Sequence, residues 1–172
     1  MVGPEQVLEF WLDKIGPAGW YGADDAVDAE IREKFMPVWD AAGSGGLSMW
    51  LTYPSGALAY LIVTDQFSRN MFRNNDGRAF ALDPIALAVA KSAICKGWDM
   101  KIDPPARQFF YLPKMHSENL CDQERCVRLM AERMPEGGVS NLLHARAHRE
   151  VIARFGRFPF RNTALGRTST RP

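Results

Sequence analysis

Apolar residues recur at three- and four-residue spacing along most of this chain, and that period predicts helices. Val7, Leu8, Trp11, Leu12 and Ile15 mark a first short helix, with Pro4 suited to its opening turn. A second starts near Asp24, carries Ile31, Phe35, Val38 and Trp39 on one side, and is expected to kink at Pro37 before Gly43-Ser44-Gly45-Gly46 ends it. The third, from about Pro54 to Phe72, is apolar nearly all round and should lie at the centre of the fold. Asn74-Asn75-Asp76-Gly77 reads as a turn. Asp83-Pro84 then caps a fourth helix that stops at Lys96-Gly97. A short fifth helix follows Asp103-Pro104 and should end at Pro113. Ser117-Glu118 is expected to cap a sixth running to Met134-Pro135, and Gly137-Gly138 is the last turn before a seventh that stops at Gly156.

No segment sustains the two-residue alternation of a strand. The expected fold is therefore an all-α bundle of about seven helices in antiparallel hairpins, a layered arrangement that forms a single domain over residues 1–172. The longest apolar stretch, Ala57 to Val63, is far short of the ~20 residues that span a bilayer, so no membrane partner is expected. The amino terminus has no basic n-region of a signal peptide. Cys95, Cys121 and Cys126 form no Cys-x-x-Cys pair and read as reduced residues of a cytoplasmic protein.

Charge sharpens this picture. From Arg146 onward there are seven arginines against one acid, a net of +6; the chain total of +1 leaves residues 1–145 at −5. The tail also carries Phe155, Phe158 and Phe160, which would be a sticky patch if exposed, so it is expected to fold back on the acidic frame. Nucleic-acid binding ranks last, because the acidic frame would repel a phosphate backbone.

Polar groups on apolar helix faces locate the candidate chemistry. Asp65 lies within about 60° of Leu58, Leu61 and Ile62, and Arg69 is one turn further along. Gln123 and Glu124 share a face with Leu120, Val127 and Met134, and His148 sits amid Val151, Ile152 and Phe155. Buried charges need partners. These side chains, with Arg149, are expected to converge on one polar cluster, closed by Arg157 and Arg161 and reached at its rim by His116. The catalytic candidates are His148, Glu124 and Asp65. The ligand-binding candidates are Arg69, Gln123, Arg149, Arg157, Arg161 and His116, suited to a small anionic molecule or a peptide. A structural network that fixes helix register is the competing expectation. His144 and His148 are spaced for zinc, but Arg149 would repel a cation, and neither a metal nor a cofactor is assigned.

Three motifs carry a family resemblance: Asp65 through Arg73 (DQFSRNMFR); Phe110-Tyr111-Leu112-Pro113 with His116-Ser117-Glu118 and Asp122-Gln123-Glu124-Arg125; and His148-Arg149 through Arg161-Asn162. In this order the chain resembles the bacterial domain-of-unknown-function 924 family along nearly its whole length. The resemblance implies an all-helical, tetratricopeptide-like fold and by itself no activity. Two departures stand out: the family pattern often has histidine where this chain has Phe160, and it usually continues past Thr168-Ser169-Thr170 with an acidic helical segment that is expected to be missing here. Two functions fit these residues: binding or acting on an anionic small molecule, with an enzymatic role left open, and serving as a tetratricopeptide-like interaction scaffold whose polar network is purely structural.

Overall fold

The computed structural model describes residues 2–74, 76–134 and 139–169. Among the described residues seven helical segments follow in order: α1 (residues 4–15), α2 (Asp25–Gly43), α3 (residues 54–71), α4 (Asp83–Cys95), α5 (residues 106–115), α6 (Leu120–Arg133) and α7 (Val139–Phe155). Short 3-10 turns join several of them, and no strand occurs among the described residues. Asn75, the expected helix end at Pro135, the expected turn at Gly137-Gly138 and Thr170 lie outside the described residues.

α3 is the centre, as its apolar surface predicts. Every residue from Gly56 to Ser68 is buried, and α1, α2 and α4 all pack on it. Phe67 is the hub of an aromatic cluster, with its ring 4.8 Å from Phe35, 5.3 Å from Trp11 and 6.0 Å from Phe10, mostly edge to face. Polar ties fix α2 in register with α3: the Trp39 indole donates to Ser68 Oγ at 2.7 Å, and Arg32 donates to the Met71 carbonyl at 2.7 Å.

Local sequence explains the ends and departures. Asp24 caps α2 by accepting from the Ala26 and Val27 amides, and α2 runs on through Pro37 to Gly43. α3 widens into π turns over Ile62–Phe67, the stretch that carries Asp65. Pro113 does not end α5; it sits in the first turn of the α-helical part, Leu112–Met115, where its missing N–H costs nothing. Asn119, not Ser117, caps α6, accepting from the Cys121 amide at 2.9 Å.

α6 and α7 pack along each other, and α7 buries only Ala145 and Ile152, which places it at the edge of the bundle. After Gly156 the chain turns back over the structure. Phe158, Arg161 and Asn162 are buried, so the tail folds back as its composition predicts, but Phe160 stays 65% exposed.

Candidate functional site

Four segments bring charge to one place. α3 contributes Asp65 and Arg69 one turn apart, α4 contributes its first residue Asp83, His116 follows α5, and the returning tail contributes Arg161 from the 3-10 turn Pro159–Arg161. The Asp65 carboxylate is buried and receives three groups: His116 Nδ1 at 2.8 Å, Arg69 Nη1 at 3.1 Å and Gln66 Nε2 at 2.6 Å. Asp83 takes both Arg69 η nitrogens, at 3.0 and 3.1 Å, a bidentate pairing. Arg161 donates to the same Asp83 at 3.1 Å and to the His116 carbonyl at 3.0 Å. Its guanidinium lies 4.5 Å from the Phe80 ring and 4.6 Å from Phe158.

Burial raises the cost of ionising Asp65, but Arg69 and His116 outweigh it and hold the carboxyl down at about 2. Burial, and then Arg69, push the His116 imidazole below its usual value, although Asp65 pulls the other way. At neutral pH His116 is therefore uncharged, and its contact with Asp65 is a hydrogen bond donated by Nδ1–H, not an ion pair. Arg161 is lowered by burial and by Arg69, with Asp83 opposing, and an arginine remains charged even so.

His116 Nε2 has no hydrogen-bond partner among the described residues, and His116 lines a cleft of about 500 Å³ together with Arg69, Arg161, His148, Phe80 and Phe160. His148 reaches this cleft from α7. Its ring stands 6.3 Å from that of His116 and 5.4 Å, edge to face, from Phe158. Burial lowers its pKa as well, against the hydrogen bond it makes to the His144 carbonyl. His144 itself is exposed, and among the described residues no group of three histidine, cysteine or acidic side chains is placed to hold a metal.

The sequence-predicted residues separate into two groups. Asp65, Arg69, His116 and Arg161 meet, and His148 joins them at the cleft wall. Glu124, Gln123, Arg149 and Arg157 do not. Glu124 is exposed and faces Arg149 at 3.7 Å on the outside of the α6–α7 pair. The reason is the face that α6 buries: Asp122, Gln123, Cys126, Leu129 and Met130 point inward, and Glu124, about 160° from the centre of that face, cannot join them. Gln123 is fully buried but is occupied elsewhere, donating to the Met115 and Ser117 carbonyls at 2.6 and 2.7 Å and so tying the end of α5 to α6. Arg157 is half-buried and makes no ion pair among the described residues.

Two acids that organise the site were not among the residues expected in the polar cluster. Asp83 caps nothing with its side chain and instead joins Arg69 to Arg161. Glu118 clasps the tail, accepting from Arg167 at 2.7 and 2.9 Å and from the Phe158 amide at 2.8 Å. The usable signal was charge balance: two tail arginines that are folded inward require two acids beyond those already placed.

Comparison with known proteins agrees with this architecture. A solved structure of a protein of unknown function from Agrobacterium tumefaciens superposes with a TM-score of 0.89 at 36% sequence identity, covering 97% of this chain and 92% of that one. No curated protein matches the sequence. The model of a family of bacterial proteins of unknown function, DUF924, matches residues 7–172, and the chain belongs to that family.

Proposed function

We propose that this protein binds a small anionic molecule in the cleft between the end of α3, the segment 72–80 that follows it, α7 and the returning tail, and moves a proton on it. The observation that carries the reading is His116: one ring nitrogen is fixed on a buried carboxylate, while the other is without a partner among the described residues at a cleft wall that also holds Arg69, Arg73 and Arg161. A carboxylate on Nδ1 fixes the tautomer and stabilises the imidazolium that forms when Nε2 takes a proton. Arg69 and Arg161 are already matched by Asp65 and Asp83, so an incoming anion finds donors held in place by fixed acids, and protonation of His116 supplies the balancing charge. A single tetratricopeptide-like domain working in the cytoplasm belongs to the same proposal. It is supported by three free cysteines.

The test is a thermal-shift screen with inorganic phosphate, pyrophosphate and small dicarboxylates. A ligand at 100 times its Kd adds about 2.7 kcal/mol, and the shift should disappear in Arg161→Gln. No stabilisation by any of these anions would overturn the reading. A second reading, an interaction scaffold with a purely structural polar network, is favoured by Val139 and Leu143, one turn apart on α7 and both largely exposed. On that reading no anion stabilises the protein, and substituting His116 changes stability alone.

A further inference from the structure

We propose that the anion taken up in this cleft also carries hydroxyl groups, as a small phosphorylated polyol does, with its charged head at Arg69 and Arg161 and its hydroxyls donating to Nε2 of both His116 and His148. The inference rests on the anion-binding reading and narrows it to a ligand class.

The argument is one of tautomers. His116 Nδ1 lies 2.8 Å from Asp65 Oδ1, and an ionised carboxylate can only accept, so the proton is on Nδ1. His148 Nδ1 lies 2.8 Å from the His144 carbonyl oxygen, which also can only accept, so this ring too carries its proton on Nδ1. Each neutral imidazole therefore presents a lone pair at Nε2. Neither Nε2 has a partner among the described residues, both histidines line the same cleft, and their ring centroids are 6.3 Å apart.

Two lone pairs beside the guanidiniums of Arg69, Arg73 and Arg161 make an uncommon lining. The oxygens of a bare phosphate or carboxylate suit Arg69 and Arg161 but offer nothing to an acceptor. A hydroxyl offers the missing proton, so a molecule with an anionic group at one end and hydroxyls along it satisfies both halves. The cleft, at about 500 Å³, has room for more than an inorganic anion, and Phe72, Ala79, Phe80 and Ala164 give it apolar walls for the carbon skeleton. Burial above all disfavours the charged form of both rings: at His116, Arg69 from α3 adds to it while Asp65 from α3 and Asp83 from α4 oppose it, and at His148 the His144 carbonyl opposes it while the charges of His116, His144 and Arg161 add to it. A hydroxyl on His116 Nε2 is also positioned to lose its proton to the Asp65-backed imidazole.

Glycerol 3-phosphate and propyl phosphate share head group and charge and differ in two hydroxyls. Titration calorimetry at about pH 8, where both imidazoles are neutral, should show glycerol 3-phosphate binding about tenfold tighter. As the pH falls through the lowered values of the two rings the advantage should shrink, because a protonated ring cannot accept. His148→Phe should reduce the advantage and leave propyl phosphate affinity unchanged, and the comparison on the unaltered protein stands even if that variant does not fold. Equal affinity for the two phosphates overturns the hydroxyl assignment and leaves the anion site intact. Binding of neither overturns the anion site, and this inference with it.

Discussion

Asp83 and Arg161 stand 78 positions apart in the sequence and meet at 3.1 Å, with Arg69 on the other side of the same carboxylate. One acid therefore holds the returning tail to the central helix. Removing it leaves two guanidiniums facing each other, with Arg161 almost sealed from solvent. Asp83→Ala should destabilise by about 3–5 kcal/mol, the range for breaking a buried pair by deleting one partner. In a chain of this length, that lowers the melting temperature by roughly 6–15 °C. Arg69→Ala should cost less, because Asp65 keeps His116 and Gln66 and Asp83 keeps Arg161. Thermal melts of the two variants decide the order.

Glu118 makes the second attachment of the tail. It is partly exposed, and its carboxyl is held below the usual range first by Arg167, against partial burial, with help from the Phe158 amide. Glu118→Gln should cost only about 1 kcal/mol, as screened pairs do. The effect should nevertheless be local: hydrogen exchange of the Phe158 amide should speed up well before that of α3. Uniform acceleration across the chain would show that Glu118 acts on global stability instead.

Much of the fold was legible because helical period and burial agree along α1 to α4, and because α3 is too apolar to lie anywhere but the centre. The site was legible only where a polar residue had no exposed face to choose. Asp65 and Arg69 on α3 met that condition. α6 did not, since its sequence offers two faces with comparable apolar content, one carrying Leu120 and Val127 with Glu124, the other Cys126 and Met130 with Gln123. Tertiary packing chose the second, leaving Leu120 43% exposed and Glu124 on the surface. Asp83 was missed because an Asp-Pro step is an adequate helix start by itself and gives no hint of a partner far along the chain.

Substitutions at the outer pair should accordingly be mild. Glu124→Ala and Arg149→Ala should each change stability by no more than about 0.5 kcal/mol. Urea titration of both, beside Asp83→Ala, would show the contrast. A large loss on Glu124→Ala would place Glu124 in the polar centre after all.

The three cysteines should separate by reactivity. Cys95 and Cys121 are exposed, whereas Cys126 is fully buried and its thiol is pushed up to about 12 by burial, with Lys114 opposing. The thiolate is the reactive form, so a thiol-specific reagent at neutral pH should label two groups quickly and the third only on unfolding. Labelling of three thiols at one rate in the native protein would contradict the packing of α6.

Acid should unfold this protein in two stages, and the sign of each follows from the site. The folded state lowers the affinity of His116 and His148 for protons, burial being the main cause in both, so the unfolded chain binds more protons once the pH drops below about 6.5. Their contribution is whole above that value and is lost as the pH falls through the lower folded values. Asp65 repeats the pattern further down: held at about 2 in the fold, it contributes fully above its unfolded value of about 3.9 and loses that contribution, of order 2 kcal/mol, as the pH falls toward 2. Urea unfolding measured from pH 8 to pH 3 should therefore show stability declining already below neutrality, with a second decline below about pH 4. His116→Gln should flatten the first decline and Asp65→Asn the second. A stability curve that stays level from pH 8 to pH 5 would mean that both imidazoles accept protons as freely as in water, and the sheltered, neutral histidine on which the proton-transfer reading depends would be lost.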